Sequence, residues 1–446
     1  MFSKSSLLLA LGVSLMLSGH EGESHPADEN PSLTLPQTRR QFWTDRYGLF
    51  IHWGISSTLC DGDSVFRDRK LSPAEIRRVA TFFNPQKFDA AQWVNVAKSA
   101  GMRYIAFTCR QSDGLAMWDS KVSDWNVVKQ TPFGRDVVKD LASECQKQGI
   151  RLYLDYVPPE VDGIPGPQAN KETTTTPSNK QAAAAASDLM NAQIIELMSK
   201  YGYIDGLRLE KAADANNEAT QFLRTCTIVH ALQPAALVGF ARNMGAVPGQ
   251  DFQFAEMGSN QTAAGYMNAS NDHEAALSLE DPKVPLELST TVNGSRGFRL
   301  GDVNFKSERV LLQDLIRAAG MDANLVFDVG AMPNGEIQPE ITTRLNHIGT
   351  WLARHGESIY ATRGGPVKPG PWGVTTQRGN KVYVHVLDSA TTSVVLNLAA
   401  PVLSARYFSD DVEVAFTQAE GAATISLRPE RPGEMDRLIV MRTKLP

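Results

Sequence analysis

The stretch RDVVKDLASECQKQGIRLYLDYV, residues 135–157, contains one complete helix–strand unit. Apolar residues recur at helical spacing over 135–148, at positions Val138, Leu141 and Cys145. Gly149 then ends the predicted helix, and the apolar run 152–157 predicts a buried strand. A helix that leads through a glycine into a buried strand is the repeating unit of a parallel sheet.

The same unit recurs on both sides of this stretch. A helix capped by Asp89 and ended by Gly101 precedes the strand 104–109, and a helix over 183–200 precedes the strand 204–209. Two further helices are predicted over 306–319 and 339–355. Over roughly 300 residues this alternation fits a closed barrel better than an open sheet. No G-x-G-x-x-G follows the first strand, so the fingerprint of a dinucleotide-binding fold is missing. We therefore predict an α/β fold of the (β/α)8 TIM-like barrel type.

The chain changes character after about residue 361. Short strand-like runs separated by turn residues replace the helix–strand units, at 381–387, 393–398, 403–408, 412–416, 423–427 and 438–442. This pattern predicts a small C-terminal all-β sandwich. The domain boundaries expected from the sequence are a signal peptide over 1–24, a flexible lead over 25–37, a catalytic barrel over 38–358 and a β-sandwich over 359–446.

The N-terminus has the features of an export signal. Lys4 precedes an apolar run over 7–16, which is too short to span a bilayer as a helix. His20 stands where a lipoprotein signal would have its lipidated cysteine, so no lipid anchor is expected. The sequence thus predicts a secreted or periplasmic protein with no membrane anchor.

Charge and cysteine usage exclude several classes of partner. The net charge of −5 over 446 residues gives no electrostatic reason to expect binding to nucleic acid or to an anionic membrane. The four cysteines, Cys60, Cys109, Cys145 and Cys226, show no C-x-x-C pairing, so no zinc site is predicted. Although export permits disulfides, the apolar settings of Cys109 and Cys145 favour buried free thiols. The oligomeric state stays open.

Candidate functional residues follow the predicted strands, because the active site of a parallel barrel lies at the carboxyl ends of its strands. The residues at or just after strand ends include His52, Trp53, Gln111, Asp113, Asp155, Tyr156, Arg208, Glu210, Glu256, Glu287 and Arg296. Tryptophan can stack on a pyranose ring, while His, Asp and Arg can bind its hydroxyls. Two carboxylates can divide the roles of nucleophile and general acid in glycoside hydrolysis. The set therefore predicts a carbohydrate substrate, without naming the sugar.

Several motifs resemble the α-L-fucosidases of glycoside hydrolase family 29. They are RYGLFIHWG (46–54), FDAAQW (88–93), AKSAG (97–101), SDGLAMW (112–118), SDWN (123–126), IDGL (204–207), IGTWL (348–352) and GESIY (356–360). The resemblance covers about residues 40–365. It implies a retaining exo-glycosidase that needs no cofactor and no metal, with His52, Trp53, Asp113 and Trp118 holding the sugar.

The departures from the family pattern fall on its chemistry. Gln111 and Ser112 stand where the family has two histidines, and Glu210 stands where it has the nucleophilic Asp. Glu256 and Glu287 both match places where the acid/base residue has been assigned, with a slight preference for Glu256. Because of these replacements, a catalytically inactive sugar-binding protein is the main alternative, and a structural barrel without a sugar site is a third.

Two arginines stand where the family has tryptophans. If Arg208 and Arg296 border the sugar, each needs an anion or a protein carboxylate as a partner, because a buried unpaired guanidinium is costly. A sugar that carries a carboxylate or sulfate would supply that anion. The alternative is that Arg208 pairs internally with Glu210 or Glu256.

Overall fold

The computed structural model describes residues 33–159, 179–210, 218–241, 247–257 and 284–444. The expected signal peptide and most of the expected lead lie outside these residues, so export stays a prediction. Within the described residues no helix is long and apolar enough to cross a membrane. The four cysteines are free thiols, of which Cys60 alone is only half-buried.

Eight parallel strands close into a barrel, in which each strand pairs with its neighbours in chain order and β8 pairs with β1. The strands are β1 Tyr47–His52, β2 Tyr104–Arg110, β3 Arg151–Tyr156, β4 Gly206–Leu209, β5 Leu237–Ala241, β6 Phe252–Glu256, β7 Leu286–Thr291 and β8 Ala323–Gly330. The predicted barrel is thereby confirmed.

Helices connect the strands and cover the outside of the barrel. They are α1 Leu35–Asp45, α2 Val65–Asp68, α3 Pro73–Ala80, α4 Ala90–Ser99, α5 Val127–Gln130, α6 Val137–Gln148, α7 Asn179–Lys200, α8 Glu218–Leu232, α9 Glu308–Gly320 and α10 Pro339–His355, with 3-10 turns at Ile55–Leu59 and Gly356–Ser358. The side chain of Asp89 caps α4 by accepting a hydrogen bond from the Ala91 amide, and Gly149 ends α6 in the left-handed region, as the sequence predicts.

The C-terminal region is an all-β sandwich, which confirms the second half of the predicted fold. Its strands are β9 Arg363–Gly364, β10 Gly373–Arg378, β11 Lys381–Val386, β12 Ser393–Asn397, β13 Val402–Tyr407, β14 Phe416–Ala419, β15 Ala422–Ser426 and β16 Arg437–Thr443. Five strands form one sheet in the order β13-β16-β11-β10-β9, and β12-β15-β14 form the other. The predicted strand 412–416 is misplaced: β14 begins only at its last residue, Phe416, and within 412–415 Glu413 makes an isolated β-bridge to Arg406.

Alternation along the strands decides which residues face the barrel interior. An aromatic cluster fills its lower half, where Phe42 of α1 packs among Phe50, Tyr104, Tyr153, Phe252 and Phe254. The Asn324 amide donates to the carbonyl of Phe42 and fixes α1 at this end. Counting two residues onward along β1, β3 and β6 leads to His52, Asp155 and Glu256. The polar residues at the carboxyl ends therefore lie above an apolar layer.

Candidate active site

The carboxyl ends of the strands bring a set of titratable side chains together. Asp328 of β8 accepts at Oδ1 from His52 Nε2 at 3.3 Å, and Thr108 Oγ1 lies 3.5 Å from the other ring nitrogen. All three side chains are buried. His52 ends β1 beside Asp328, which fixes the orientation of its ring.

A cleft of about 290 Å³ opens beside this pair. Its lining includes Asp63, Asp68, Glu256, Arg296, Arg299 and Asp328. One wall is formed by the segments after β1 and β7, which are joined by hydrogen bonds from the Gly62 amide to the Phe298 carbonyl and from the Leu300 amide to the Cys60 carbonyl, each 2.9 Å long. Gly297 permits this approach, since a Cβ there would lie 2.5 Å from the Asp63 amide nitrogen.

Arg296 connects the two walls of the cleft. Its Nη1 donates to Glu256 Oε1 at the end of β6, and its Nη2 lies 3.3 Å from Asp63 Oδ2 in the segment after β1. Although 54% of the Glu256 side chain is accessible, partial burial raises its pKa. The charge of Arg296 opposes that rise, while the charges of Asp328 and Glu210 add to it.

Glu210 directly follows β4 and is half-buried, with its amide 3.4 Å from the Tyr156 carbonyl. Its charge reaches the other acidic groups at the mouth. Burial, and then repulsion from Glu210, raise the pKa of Asp155 to about 7, and Glu210 also contributes to the raised pKa of Glu256. The charge of Glu210 therefore acts on both Asp155 and Glu256.

Arg208 lies inside the barrel and is only 2% exposed. Its guanidinium carbon sits 4.1 Å from the Phe50 ring centroid and 4.3 Å from that of Phe254. Its Nε is 3.3 Å from Glu287 Oε1, and its Nη1 is 3.9 Å from Asp155 Oδ1. The expectation that Arg208 pairs with Glu210 or Glu256 is therefore wrong, because its inward strand position points it at Glu287 and Asp155 instead.

Glu287 does not reach the mouth. It is the second residue of β7, is paired in register with Asn324 near the amino end of β8, and is 1% exposed. The Tyr104 hydroxyl donates to its Oε2 at 2.6 Å. A carboxyl group enclosed between Tyr104 and Arg208 cannot protonate a leaving group in the cleft. Of the two acid/base candidates, the geometry retains Glu256.

Three aromatic residues that were expected to hold the sugar belong to the core. Trp53 is 1% exposed, stacks on Phe88 with ring centroids 5.3 Å apart, and donates to the Met332 carbonyl. Trp118 donates to Glu196 of α7, and the Tyr156 hydroxyl donates to Gln193 of the same helix. Trp53 and Tyr156 each come one residue after an inward-facing position, His52 and Asp155, so alternation turns them outward towards the helices.

The loop after β2 is built around Asp113. Its carboxylate accepts from the Leu115 amide and its carbonyl from Trp125 Nε1, both at 2.9 Å. Burial raises the pKa of Asp113 to about 6. This residue shapes the turn and does not line the cleft. Gln111 is half-buried, and its carbonyl accepts from the Gly114 amide in the same turn.

Sequence reasoning missed four charged residues of the cleft, Asp63, Asp68, Arg299 and Asp328. Asp328 lies inside the apolar run 323–330, where a single carboxylate at an inward position near the strand end is a usable signal. Asp63 sits in the segment after β1 and gave no such signal. Within the described stretches, no cluster of three or more His, Cys, Asp or Glu side chains could hold a metal ion.

Comparison with known proteins places these features in one family. The family model described as Alpha-L-fucosidase matches residues 18–357 of this chain. The tissue alpha-L-fucosidase of Rattus norvegicus is 26% identical over 424 residues, covering 88% of this chain and 83% of the rat protein. Alpha-L-fucosidase 1 of Arabidopsis thaliana is 28% identical over 220 residues, covering 48% of this chain and 38% of the plant protein.

Solved structures share the fold. Alpha-L-fucosidase isoenzyme 1 from Paenibacillus thiaminolyticus superposes with a TM-score of 0.77 at 24% identity, covering 92% of this chain and 99% of the other. An alpha-L-fucosidase from Bacteroides thetaiotaomicron, solved as a trapped covalent intermediate with 2-fluoro-fucosyl fluoride, superposes with the same TM-score at 19% identity, covering 91% and 96%.

Proposed function

Because the chain belongs to the α-L-fucosidase family, we propose that it cleaves a terminal α-L-fucosyl group from a glycan with retention of configuration. Glu210 is the nucleophile and Glu256 is the acid/base residue in this proposal. The observation that supports it is that Glu256 ends β6 and lines the cleft, while Glu210 directly follows β4 at the same end of the barrel. Family membership supports a glycosidase.

The two carboxylates divide the chemistry as a retaining mechanism requires. Glu210 attacks the anomeric carbon while Glu256 gives its proton to the departing glycosidic oxygen, leaving a glycosyl ester on Glu210. A water molecule, deprotonated by Glu256, then cleaves that ester and releases the sugar. The Bacteroides relative was trapped as a covalent intermediate, which agrees with this route.

The inner groups of the mouth orient the sugar in this proposal. His52 contacts Asp328 and Thr108 through its two ring nitrogens, so the orientation of its ring is fixed before substrate arrives. A Glu in place of the family's Asp carries its carboxylate about one bond further from the backbone. We infer that Glu210 reaches the anomeric carbon from a strand end that lies correspondingly further back.

The charge balance favours a neutral sugar. Arg208 lies within ion-pair distance of Glu287 and Asp155, and Arg296 within ion-pair distance of Glu256 and Asp63, so protein carboxylates already balance the charge of both guanidinium groups. The excess of carboxylates around the cleft would repel a uronic or sulfated sugar. We therefore propose plain fucose over the anionic sugar that the sequence alone pointed to.

The test measures hydrolysis of an aryl α-L-fucoside alongside uronic and sulfated aryl glycosides. We expect turnover of the neutral fucoside, and we expect Glu210→Gln to lower kcat about 10⁴-fold or more, as loss of a nucleophile does in other hydrolases. Glu413→Gln, which removes an exposed carboxylate of the β-sandwich, is the matched control and should keep full activity. Full activity of Glu210→Gln would contradict the assignment.

Covalent trapping and calorimetry complete the test. Incubation with 2-fluoro-fucosyl fluoride should add one fluorofucosyl mass to the peptide that contains Glu210. Fucose binding in calorimetry without turnover of any aryl glycoside would instead favour the inactive sugar-binding alternative, which the replacement of the family's histidine pair by Gln111 and Ser112 motivates.

A further inference from the structure

Arg296 contacts two carboxylates on opposite sides of the cleft, and this arrangement suggests a role in the reaction. We propose that Arg296 and Asp63 are positioning residues that together control when Glu256 holds its proton. Arg296 pairs with both Glu256 and Asp63 after the proton has left, and with Asp63 alone when Glu256 is protonated. This inference rests on the proposed function of Glu256 and extends it to two residues outside the reacting pair.

The contact between Arg296 and Glu256 conflicts with the first step of the reaction. A general acid must carry a proton when the substrate binds, whereas a guanidinium in direct contact favours the ionised carboxylate. The Arg296 Nη1 donates to Glu256 Oε1, so the described conformation holds Glu256 in the state that follows proton transfer. Protonation of Glu256 removes the charge that attracts Arg296, and the guanidinium then needs another anion.

Asp63 is that second anion. Its Oδ2 lies 3.3 Å from Arg296 Nη2, and only 16% of its side chain is accessible. Burial opposes ionisation of Asp63, but the charges of Arg296 and then His52 outweigh it, so the pKa of Asp63 lies below its usual value. Asp63 therefore stays ionised through the working range of a glycosidase and can hold Arg296 whichever state Glu256 is in.

The remaining charged groups around Glu256 come from other strands. Asp328 of β8 and Glu210 after β4 favour its protonated form, while His52 of β1 favours the ionised form. Their charges act on Glu256 whether or not Arg296 is paired with it. The influence on Glu256 that can change is therefore that of Arg296, which is 28% exposed and contacts Glu256 and Asp63 through its two terminal nitrogens.

The proton is accounted for at each step. As the glycosidic C–O bond breaks, the leaving oxygen takes the proton of Glu256, and the new carboxylate attracts Arg296. When water attacks the glycosyl ester, Glu256 takes a proton from that water and releases Arg296 to Asp63. The guanidinium thus stabilises the ionised carboxylate of Glu256 and releases it when Glu256 is protonated.

The experiment follows the alkaline limb of kcat/KM against pH, which reports the ionisation of the acid in the free enzyme. Arg296→Gln removes the cation, so the limb should move up by about 0.5–1 pH unit. Asp63→Asn removes the competing anion, so Arg296 stays on Glu256 and the limb should move down by a similar amount. Arg296→Lys keeps the charge and should keep the limb close to that of the wild type.

Opposite shifts from two neighbouring substitutions are not expected of residues with a merely structural role. Equal shifts in the same direction, or no shift in either variant, would overturn the inference while leaving the fucosidase proposal intact. If the wild type turns over no fucoside, titration of carboxyl-¹³C-labelled Glu by NMR replaces the rate measurement. The resonance missing in Glu256→Gln identifies Glu256, whose pKa must then rise in Arg296→Gln and fall in Asp63→Asn, or the inference fails.

Discussion

Arg208 and Arg296 both replace a tryptophan of the family pattern, yet they lie in opposite environments. Arg208 sits on the floor of the site, inside the barrel, 2% exposed and enclosed by the rings of Phe50 and Phe254. Arg296 lies at the mouth, with 28% of its side chain accessible and one of its partners, Glu256, half open to solvent. Each arginine has two carboxylate partners.

The difference between floor and mouth determines what each ion pair can do. On the floor, taking the charges out of water is costly, and removal of one partner leaves the other uncompensated. Arg208, Glu287 and Tyr104 therefore form a structural unit that cannot change partner during a reaction. At the mouth, water and a second carboxylate make partner exchange inexpensive, so Arg296 can respond to the protonation of Glu256.

The two glutamates that were candidates for the acid/base role give the largest expected contrast between floor and mouth. Glu256→Gln should lower kcat/KM by about 10²–10⁴-fold for a fucoside with a poor leaving group, the usual range for loss of a general acid. Glu287→Gln should change the rate per folded molecule far less, because its carboxyl group is enclosed under Arg208. The rates of both variants are measured with aryl and alkyl fucosides at saturating and subsaturating substrate concentrations.

A leaving-group series distinguishes general-acid loss from general damage to the site. The defect of Glu256→Gln should shrink as the leaving group becomes more acidic, since such a group departs without a proton. A deficit in Glu287→Gln that follows the same leaving-group trend would show that the acid/base assignment is wrong.

Removal of Arg208, the cation inside the barrel, should lower the free energy of unfolding. Removal of Arg296, the cation at the mouth, should change it little. Arg208→Met leaves Glu287 without its cationic partner and should lower the free energy of unfolding by about 3–5 kcal/mol. At the mouth the partner Glu256 is 54% accessible, so its pair with Arg296 should contribute about 1 kcal/mol or less, and Arg296→Met is the matched comparison. Chemical denaturation at neutral pH, followed by tryptophan fluorescence, measures both.

The double variant Arg208→Met/Glu287→Met checks the mechanism of that loss. Because it removes both charges, it should recover most of the stability lost in Arg208→Met. A double variant as unstable as the single one would mean that Arg208 acts through packing on Phe50 and Phe254 and not through its charge.

The fold could be predicted from the sequence because each helix–strand unit is formed by residues that follow one another in the chain. The helix and strand of residues 135–157 follow each other without interruption, and α10 begins and ends where the spacing of Ile341, Leu345, Ile348 and Leu352 places it. Strand β6, whose burial is interrupted, gave no pattern from which a strand was predicted. The turn into β14 was misplaced because Val412, an exposed residue, was counted as part of a strand.

The site was harder to predict because it depends on strand phase. Trp53 and Tyr156 each stand one residue from an inward position, and that single step turns a supposed sugar contact into a core residue packed against helices. The partners of Arg208 and Arg296 come from strands and loops far away in the chain, so no spacing rule could have named Glu287 or Asp63. His52 and Glu256 could be predicted at this end of the barrel because they end their strands in the inward phase, and Glu210 because it follows β4 two residues after the inward-facing Arg208.

Salt should affect the mouth and leave the floor unchanged, and this is the smallest expected effect. The Debye length falls from about 10 Å at 0.1 M salt to about 3 Å at 1 M, which screens charges that are open to water. In 1 M NaCl the influence of Arg296 on Glu256 should weaken, so the alkaline limb of kcat/KM should rise by a few tenths of a pH unit. Arg296→Gln has no such cation and should lose the response, whereas the stability difference between the wild type and Arg208→Met should not change with salt.

An Arg296→Gln enzyme that responds to salt as the wild type does would assign the response to Asp328 and Glu210. That result would remove the distinction between an exchangeable ion pair at the mouth and a fixed ion pair inside the barrel.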